Sequence, residues 1–226
     1  MHIKNLFKAL YKAFISPSKP KKSYSQFAED LLIQLFLRDQ AVENFYVDVG
    51  CHHPRRGSNT YLLYRKNWSG LLVDLERDKV LACQLARPRD KVILAAISDK
   101  EELVDIYSPK KFSTNTTINI DGVVNKHGYI KIGEIETRTL NSILYENKAP
   151  KNFALLSIDV EGVDFQVLKS INLNEFRPHV ICIECWESSE GIAAIIASDM
   201  YIHLVERGYE LRAWLGLSII FVRSIQ

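Results

Sequence analysis

Several features are scarce or missing in this sequence of 226 residues. It has only four cysteines, no secretory signal, and no apolar run approaching the ~20 residues that a membrane-spanning helix needs. We therefore expect a protein of the reducing cytoplasm. The net charge of only +2 gives no reason to expect a nucleic-acid partner. Disorder is also disfavoured, because 47% of the residues are hydrophobic.

The sequence also lacks a recognisable metal-binding pattern. Cys182 and Cys185 have the C-x-x-C spacing, but they lie within an apolar run, residues 180–185. No second cysteine or histidine pair stands at zinc spacing. We interpret the cysteines as small buried apolar side chains and predict no metal site.

Acidic residues are absent from residues 1–22, which carry six lysines. The rest of the chain holds 23 basic residues against 27 acidic ones, so the basic character belongs to this N-terminal arm. Residues 3–15 place apolar side chains at helical spacing opposite lysines, which predicts a basic amphipathic helix, and residues 16–22 then form a linker. Two interpretations stay open: peripheral contact with the inner membrane surface, or packing on the chain's own domain or a partner protein.

Helices and apolar strands alternate through residues 23–226, the predicted single domain. The first helix should begin near Ser25 as N-cap, with Glu29 and Asp30 in its first turns. Strands are predicted over residues 45–49, 70–75, 92–97, 153–159 and 180–185, and helices over residues 59–66, 79–86, 164–171 and 191–207. This pattern indicates a mostly parallel sheet with helices on both faces. A short turn separates residues 209–214 from 218–222, so the last strand should be antiparallel.

The alternation loosens between residues 99 and 137. Strands are predicted over residues 103–107 and 129–137. The polar insert between them, at about residues 108–128, includes the Ser-Thr-Asn-Thr-Thr run at 113–117. Long polar segments of this kind are commonly functional, so we predict that it contacts substrate or acts as a lid.

Two acidic strand ends predict where a ligand binds. Asp48 ends one strand before the Gly50 loop, and Asp74 ends the next, where a carboxylate can accept hydrogen bonds from ribose hydroxyls. The loop lacks the G-x-G-x-x-G pattern of dinucleotide sites. S-adenosylmethionine has no pyrophosphate, and its cationic sulfonium suits an acid-lined pocket. The alternative for Asp48 is a carboxylate that caps loop amides.

A second acidic group follows residues 153–158. Asp159 is predicted to accept a substrate proton or to orient the substrate, while Glu161 either joins it or caps the next helix. Glu184 is a weaker member of this cluster. His52 and His53 lie in the first loop, where His53 could act as a general base or simply bond to backbone groups.

The order and spacing of short motifs resemble the FkbM methyltransferase family over nearly the whole chain after the arm. The matching pieces are Ser25-Gln26 with Glu29-Asp30; Val47-Asp48-Val49-Gly50 with His53-Pro54; Ser58-Asn59-Thr60 with Leu63-Tyr64; Trp68-Ser69-Gly70; Ala96-Ile97-Ser98-Asp99; Thr139-Leu140; Ser157-Ile158-Asp159-Val160-Glu161-Gly162 with Val167-Leu168; Arg177-Pro178; and Ile183-Glu184.

The resemblance implies a class I methyltransferase fold, Rossmann-like, with S-adenosylmethionine as cofactor and methyl transfer to oxygen. Family members often methylate hydroxyls of sugars or natural products. The resemblance assigns the cofactor site to Asp48, Gly50 and Asp74, with Ser98 and Asp99 near the adenine and Gln26, Asn59 and Thr60 near the methionine end.

These observations predict an O-methyltransferase that acts on a hydroxyl of a sugar, glycan or natural product. Asp159, His53 and Glu161 are the candidate catalytic residues, with Asp159 or His53 as base. One alternative is an inactive binding module in a glycan-assembly complex. A nicotinamide-dependent oxidoreductase is disfavoured by the missing glycine pattern.

Overall fold

The computed structural model describes residues 3–15, 21–109, 116–122 and 127–224. The α-helices are α1 (Ile3–Leu10), α2 (Glu29–Phe36), α3 (Tyr61–Tyr64), α4 (Arg77–Ala86), α5 (Leu140–Glu146), α6 (Asp164–Lys169), α7 (Ile192–Ala197) and α8 (Asp199–Val205). The strands are β1 (Glu43–Val49), β2 (Ser69–Asp74), β3 (Lys91–Leu94), β4 (Ala96–Ile97), β5 (Leu103–Ser108), β6 (Ile130–Arg138), β7 (Phe153–Ile158), β8 (Val180–Glu184), β9 (Tyr209–Leu215) and β10 (Ser218–Arg223).

Seven strands form the main sheet in the order β3-β2-β1-β7-β8-β10-β9. The β3, β2, β1, β7 and β8 strands pair in parallel, whereas β10 is antiparallel to both of its neighbours. The predicted mostly parallel sheet with an antiparallel C-terminal strand is confirmed. This strand lies between β8 and β9 rather than at the edge. Strand order reverses between β1 and β7, which places the ligand crevice at their carboxyl ends.

Both faces of the sheet are covered by helices. On β1, Val47 points into one apolar cluster and Tyr46 into the other, because successive side chains of a strand alternate between faces. The first cluster includes Val167 of α6, and the second includes Ile33 of α2 and Leu63 of α3. Strands buried on both faces explain why the sequence shows continuous apolar runs instead of alternation.

The chain leaves the main sheet earlier than predicted after β3. The strand expected over residues 92–97 is divided, because β4 pairs with β6 in a separate three-stranded sheet of order β4-β6-β5. The Ala95 amide still bonds to the Asp74 carbonyl, whereas the Ser98 amide bonds to the carbonyl of Arg138. The strands predicted on either side of the insert form as β5 and β6. Within the insert, residues 110–115 and 123–126 lie outside the described residues.

Two predicted helices differ in their bounds for local reasons. The helix expected from Ser25 begins at Glu29 after Ala28, which has a positive φ of 69°. Ser25 still accepts a hydrogen bond from the Asp30 amide through its Oγ. The long helix predicted over residues 191–207 is two helices, because Ser198 is extended and its side chain caps α8.

The predicted helix in the arm forms as α1 followed by a π-helical turn, Tyr11–Ile15. The predicted linker lies partly outside the described residues, since residues 16–20 are among those left out. None of the described helices is long and apolar enough to span a bilayer.

Candidate active site

A cavity of about 400 Å³ opens at the carboxyl ends of β1, β2, β7 and β8. This is the edge of the sheet where strand order reverses, and the volume is within the usual range of ligand pockets. The predicted site residues that line it are Gln26, Asp48, Gly50, Asn59, Asp74, Asp159 and Glu161. Those that lie outside its lining are Thr60, His53, Ser98 and Asp99.

Gly50 lets the loop after β1 run directly against the end of β7. Its φ is +83°, and a Cβ at this position would lie 1.7 Å from the main-chain oxygen of Asp159. The Gly50 amide donates to the Val73 carbonyl at 2.9 Å, and the Asp159 amide donates to the Val49 carbonyl at 3.0 Å. The ends of three strands are therefore fixed together at the cavity wall, with no room for a side chain at Gly50.

Asp48 is buried, and the Thr60 hydroxyl donates to its Oδ2 at 2.6 Å. Among the described residues this hydroxyl, not a loop amide, is the partner of the carboxylate. Burial raises the pKa of Asp48, while the Thr60 hydrogen bond and the positive charge of Arg87 oppose the shift. Thr60 thus acts on the site through Asp48 although it does not line the cavity.

Behind Thr60 lies a buried polar network that sequence reasoning missed. Arg87 is 1% exposed and donates to Asp90 at 2.6 Å, to the Tyr46 hydroxyl at 2.9 Å and to Thr60 Oγ1 at 3.0 Å. Asp90 also accepts from the Tyr46 hydroxyl at 2.7 Å. The chain from Asp90 through Arg87 and Thr60 therefore orients the Asp48 carboxylate. The only sequence signal was an Arg and an Asp three residues apart after a helix.

Asp74 is buried at the end of β2, and each of its oxygens accepts a backbone amide. Oδ2 accepts from His52 and Oδ1 from Glu76, both at 2.9 Å. Burial raises the pKa of Asp74, opposed by the charge of Lys79 and by these two amides. A carboxylate oxygen has two lone pairs, so each oxygen can still accept a hydrogen bond from a ligand hydroxyl.

Asp159, Glu161 and Glu184 bring three carboxyl groups to the opposite wall. The Asp159 side chain faces the open cavity, and the surrounding protein, together with the charges of Asp164 and Glu161, raises its pKa to about 8. Burial and the charges of Asp159 and Asp164 raise the pKa of Glu184 to about 9. Like charges this close disfavour simultaneous ionisation, which contributes to the raised pKa values of this wall.

The turn after β7 is held by Asp164 rather than by Glu161. Asp164 accepts from the Val160 amide at 3.0 Å and from the Gly162 amide at 3.2 Å. The alternative that Glu161 caps α6 is therefore wrong, and its side chain lines the cavity instead. The insert packs on this turn, since the Thr117 hydroxyl donates to the Glu161 carbonyl at 3.0 Å.

The histidine at the cavity is His52, whereas His53 bonds to backbone groups. His53 Nδ1 accepts from the amides of Arg55 and Arg56, each at 3.0 Å. Burial and these two arginines lower the pKa of His53. Its geometry is that of the backbone-bonded loop histidine considered from the sequence.

Ser98 and Asp99 are carried away from the cavity by the second sheet. Asp99 pairs with Lys169 at 2.7 Å, which lowers the pKa of Asp99. The cavity wall beside β3 is formed instead by the apolar residues Ala95, Ala96 and Ile97.

Glu29 and Asp30 shape the loop that carries Gln26. Both are 1% exposed. Glu29 accepts from the Phe27 amide at 2.7 Å, and Asp30 accepts from the Tyr24 amide at 2.7 Å. These two acids cap residues 23–28 and so place Gln26 at the cavity.

Among the described residues of the cavity lining, the buried oxygen atoms Glu184 Oε2 and Thr116 Oγ1 have no hydrogen-bond partner. Buried polar groups are rarely left unsatisfied, so both are places for a ligand group to bond. Trp186, also in the lining, is 39% exposed. The sequence signal for it was an aromatic residue two positions past an acidic strand end.

The four cysteines are free and buried, as predicted, with Cys51 and Cys83 in contact at 3.8 Å between sulfurs. Across the part of the chain that the structure describes, no three His, Cys, Asp or Glu side chains come together as a metal site.

The strand order and the acid-lined crevice are those of a class I methyltransferase fold. The sequence model of the methyltransferase FkbM domain matches residues 48–211, and the chain belongs to this family. No curated protein matches the sequence significantly.

Two solved structures show a partial likeness of fold. A TehB-like SAM-dependent methyltransferase from Corynebacterium glutamicum has a TM-score of 0.45 and 11% identity, over 98% of this chain and 96% of that one. A methyltransferase from Geobacter sulfurreducens has a TM-score of 0.45 and 11% identity, over 98% of this chain and 88% of that one. Neither bears on the substrate of this chain.

Proposed function

We propose that this chain transfers a methyl group from S-adenosylmethionine to a hydroxyl of a sugar, glycan or natural-product acceptor. The observation that carries the proposal is the convergence of Asp48, Asp74 and Asp159 on one cavity at the point where strand order reverses. The family gives the reaction class, and these side chains give the cavity its chemistry.

The residues present fit the cofactor. Asp74 keeps one free lone pair on each oxygen, which suits the adjacent hydroxyls of a ribose. The apolar residues Ala95, Ala96 and Ile97 beside β3 offer an apolar surface for an adenine base. The lining carries Asp48, Asp159 and other carboxyl groups, which favour a cationic sulfonium.

The bound cofactor supplies an electrophilic methyl group, and the protein's part is positioning and proton removal. A hydroxyl is a weak nucleophile until its proton leaves, so a base must lie at the acceptor side. We assign this role to Asp159, whose carboxyl faces the cavity. A cation bound in the cavity would lower the pKa of a neighbouring carboxyl and so favour the Asp159 carboxylate, the form that accepts the hydroxyl proton.

Glu184 and Trp186 lie on the same wall as Asp159. The unsatisfied Glu184 Oε2 can bond a second acceptor hydroxyl, and the exposed Trp186 offers an apolar face to a ring. The described part of the insert reaches this region through Thr116. These contacts support an acceptor that carries several hydroxyl groups.

Calorimetry with S-adenosylhomocysteine tests the cofactor assignment. Wild-type protein should bind it and not NAD, and Asp74→Asn should weaken binding at least about tenfold, because one charge-assisted hydrogen bond contributes roughly 1.5–3 kcal/mol. Asp99→Asn is the matched control and should bind as wild type, since Asp99 pairs with Lys169 outside the cavity.

Labelled S-adenosylmethionine then tests the transfer step against a panel of hydroxyl acceptors. Transfer of label to a hydroxyl supports the proposal. Tight cofactor binding with no transfer to any acceptor would indicate the inactive binding module, and no cofactor binding by folded protein would overturn the cofactor assignment.

A further inference from the structure

The helical part of the arm exposes every one of its apolar side chains. No residue of α1 or of the turn that follows it is buried. Phe7 is 68% exposed and Phe14 is 82% exposed. We define the apolar stripe as Ile3, Leu6, Phe7, Leu10 and Phe14, which lie at the i, i+3, i+4, i+7 and i+11 positions of one helix face.

A second face of the same helix is basic. Lys4, Lys8 and Lys12 follow one another at intervals of four residues, on the side of the helix opposite the apolar stripe. No acidic residue occurs in residues 1–22, which also contain three further lysines. This face therefore carries a positive charge that nothing within the arm neutralises.

An apolar stripe of this size is unfavourable in water, and so is an isolated helix of this length. The sequence left open whether the helix packs on its own domain, but none of its residues is buried by the rest of the structure. A coiled coil with another chain needs three or four heptads, whereas residues 3–15 hold fewer than two. A binding partner that matches both the apolar stripe and the basic face of this helix must have an apolar interior and an anionic surface.

We propose that residues 3–15 bind in the plane of an anionic lipid bilayer and hold the enzyme at that surface. The apolar stripe would enter the boundary between headgroups and acyl chains, and the lysines would extend to the anionic headgroups. Phe7, Tyr11 and Phe14 are the bulky side chains best placed for that boundary. Binding of the arm to lipid does not depend on the identity of the methyl acceptor.

The charge of the remaining chain makes the arm necessary for such binding. Beyond residue 22 the chain carries 23 basic and 27 acidic residues, so an anionic surface repels it overall. The attraction must therefore come from the arm. Because the excess positive charge is confined to the arm, substitutions in the arm test the proposal while leaving the fold and the cavity unchanged.

Co-sedimentation of the full chain with vesicles is the test. Wild-type protein should bind phosphatidylcholine vesicles that contain phosphatidylglycerol, should bind pure phosphatidylcholine much more weakly, and should release as salt is raised. The triple substitution Lys4→Gln, Lys8→Gln, Lys12→Gln should weaken binding roughly a hundredfold, because each lysine near an anionic surface contributes a factor of about five. The double substitution Phe7→Ser, Phe14→Ser should abolish it.

The matched control is Lys66→Gln, Lys91→Gln, Lys100→Gln, which removes the same charge from exposed lysines of the domain. It should bind vesicles as wild type does. All variants should keep the wild-type melting temperature, because every substituted side chain is exposed.

Equal loss of binding in the control would overturn the proposal, since it would make the attraction a matter of net charge alone. Vesicle binding unchanged by the arm substitutions would also overturn it. A wild-type dimer in solution that Phe7→Ser, Phe14→Ser dissociates, without vesicle binding, would identify a second copy of the chain as the occupant instead.

Discussion

The α-carbon of Gly50 faces the main-chain oxygen of Asp159 so closely that a methyl group on it would lie 1.7 Å from that oxygen. The two residues directly follow β1 and β7, on either side of the point where strand order reverses. Their backbone contact sets how far apart the ends of β1 and β7 stand at the cavity.

Gly50→Ala should therefore disturb both stability and binding. Alanine at a φ of +83° is strained by about 1–2 kcal/mol, and the clash with a backbone atom adds to this strain. We expect the free energy of unfolding to fall by at least about 2 kcal/mol and the affinity for S-adenosylhomocysteine to fall with it. Urea denaturation and calorimetry measure the two effects.

Gly57→Ala is the control for this strain. Gly57 also has a positive φ, +69°, but a Cβ there meets nothing within 4 Å. Gly57→Ala should lower the free energy of unfolding by about 1 kcal/mol, which is the strain of the left-handed backbone alone. Equal destabilisation by the two substitutions would mean that the contact with Asp159 is unimportant.

Much of the site was readable from the sequence because parallel strands end at a common edge. Asp48, Asp74 and Asp159 each follow an apolar run, and the strand pairing brings their carboxyl ends together. A one-dimensional pattern was therefore enough to predict that they share a cavity.

The residues whose positions were not predicted from the sequence are held by partners far away along the chain. Ser98 and Asp99 are drawn away by β6, about 40 residues later in the sequence, with which β4 pairs. Arg87 looks like a surface residue in the sequence, yet it contacts Tyr46 and Thr60, 41 and 27 residues earlier. Local periodicity carries no information about such contacts.

The stability of the protein should require an arginine at position 87, and lysine should not replace it. Its guanidinium contacts Asp90, Tyr46 and Thr60 through different nitrogens, a geometry that a single ammonium group cannot reproduce. Arg87→Lys should lower the free energy of unfolding by about 3 kcal/mol in urea denaturation, because the buried Asp90 keeps its charge but loses bonds. Arg77→Lys, on the exposed first turn of α4, should change it by less than about 0.5 kcal/mol. Similar effects of the two would argue against the network.

The acidic wall should make the protein less stable at high pH. The pKa of Glu184 is raised to about 9 in the folded state, so the folded protein holds a proton that the unfolded chain loses near pH 4.3. Stability therefore falls as pH rises towards 9. Below pH 6.5 the lowered pKa of His203 acts in the opposite direction, so the clearest window is pH 7 to 9.

Glu184→Gln should reduce this slope without removing it, because the amide cannot ionise whereas Asp159, whose pKa is also raised, still titrates in this window. The measurement is the free energy of unfolding at pH 7, 8 and 9 for wild type, Glu184→Gln and the control Glu190→Gln, an exposed acid of the following turn. The control should keep the wild-type slope. A wild-type protein that gains stability from pH 7 to 9 would contradict the prediction.

Asp159→Asn should separate binding from turnover. Asparagine keeps the size of the side chain but cannot take a proton, so kcat should fall by about 10²- to 10⁴-fold while affinity for S-adenosylhomocysteine changes little. In wild type, kcat/KM, which reports the free enzyme, should rise with pH as Asp159 ionises, because the surrounding protein and the charges of Asp164 and Glu161 raise its pKa. The residual activity of Asp159→Asn should lack this rise.

His53→Gln decides between the two bases that the sequence proposed. Its Nδ1 already accepts two backbone amides, so this substitution should leave the pH profile of kcat/KM unchanged. A profile that keeps its rise in Asp159→Asn and loses it in His53→Gln would transfer the role to the histidine, and would require the loop that carries it to move in the complex with cofactor and acceptor.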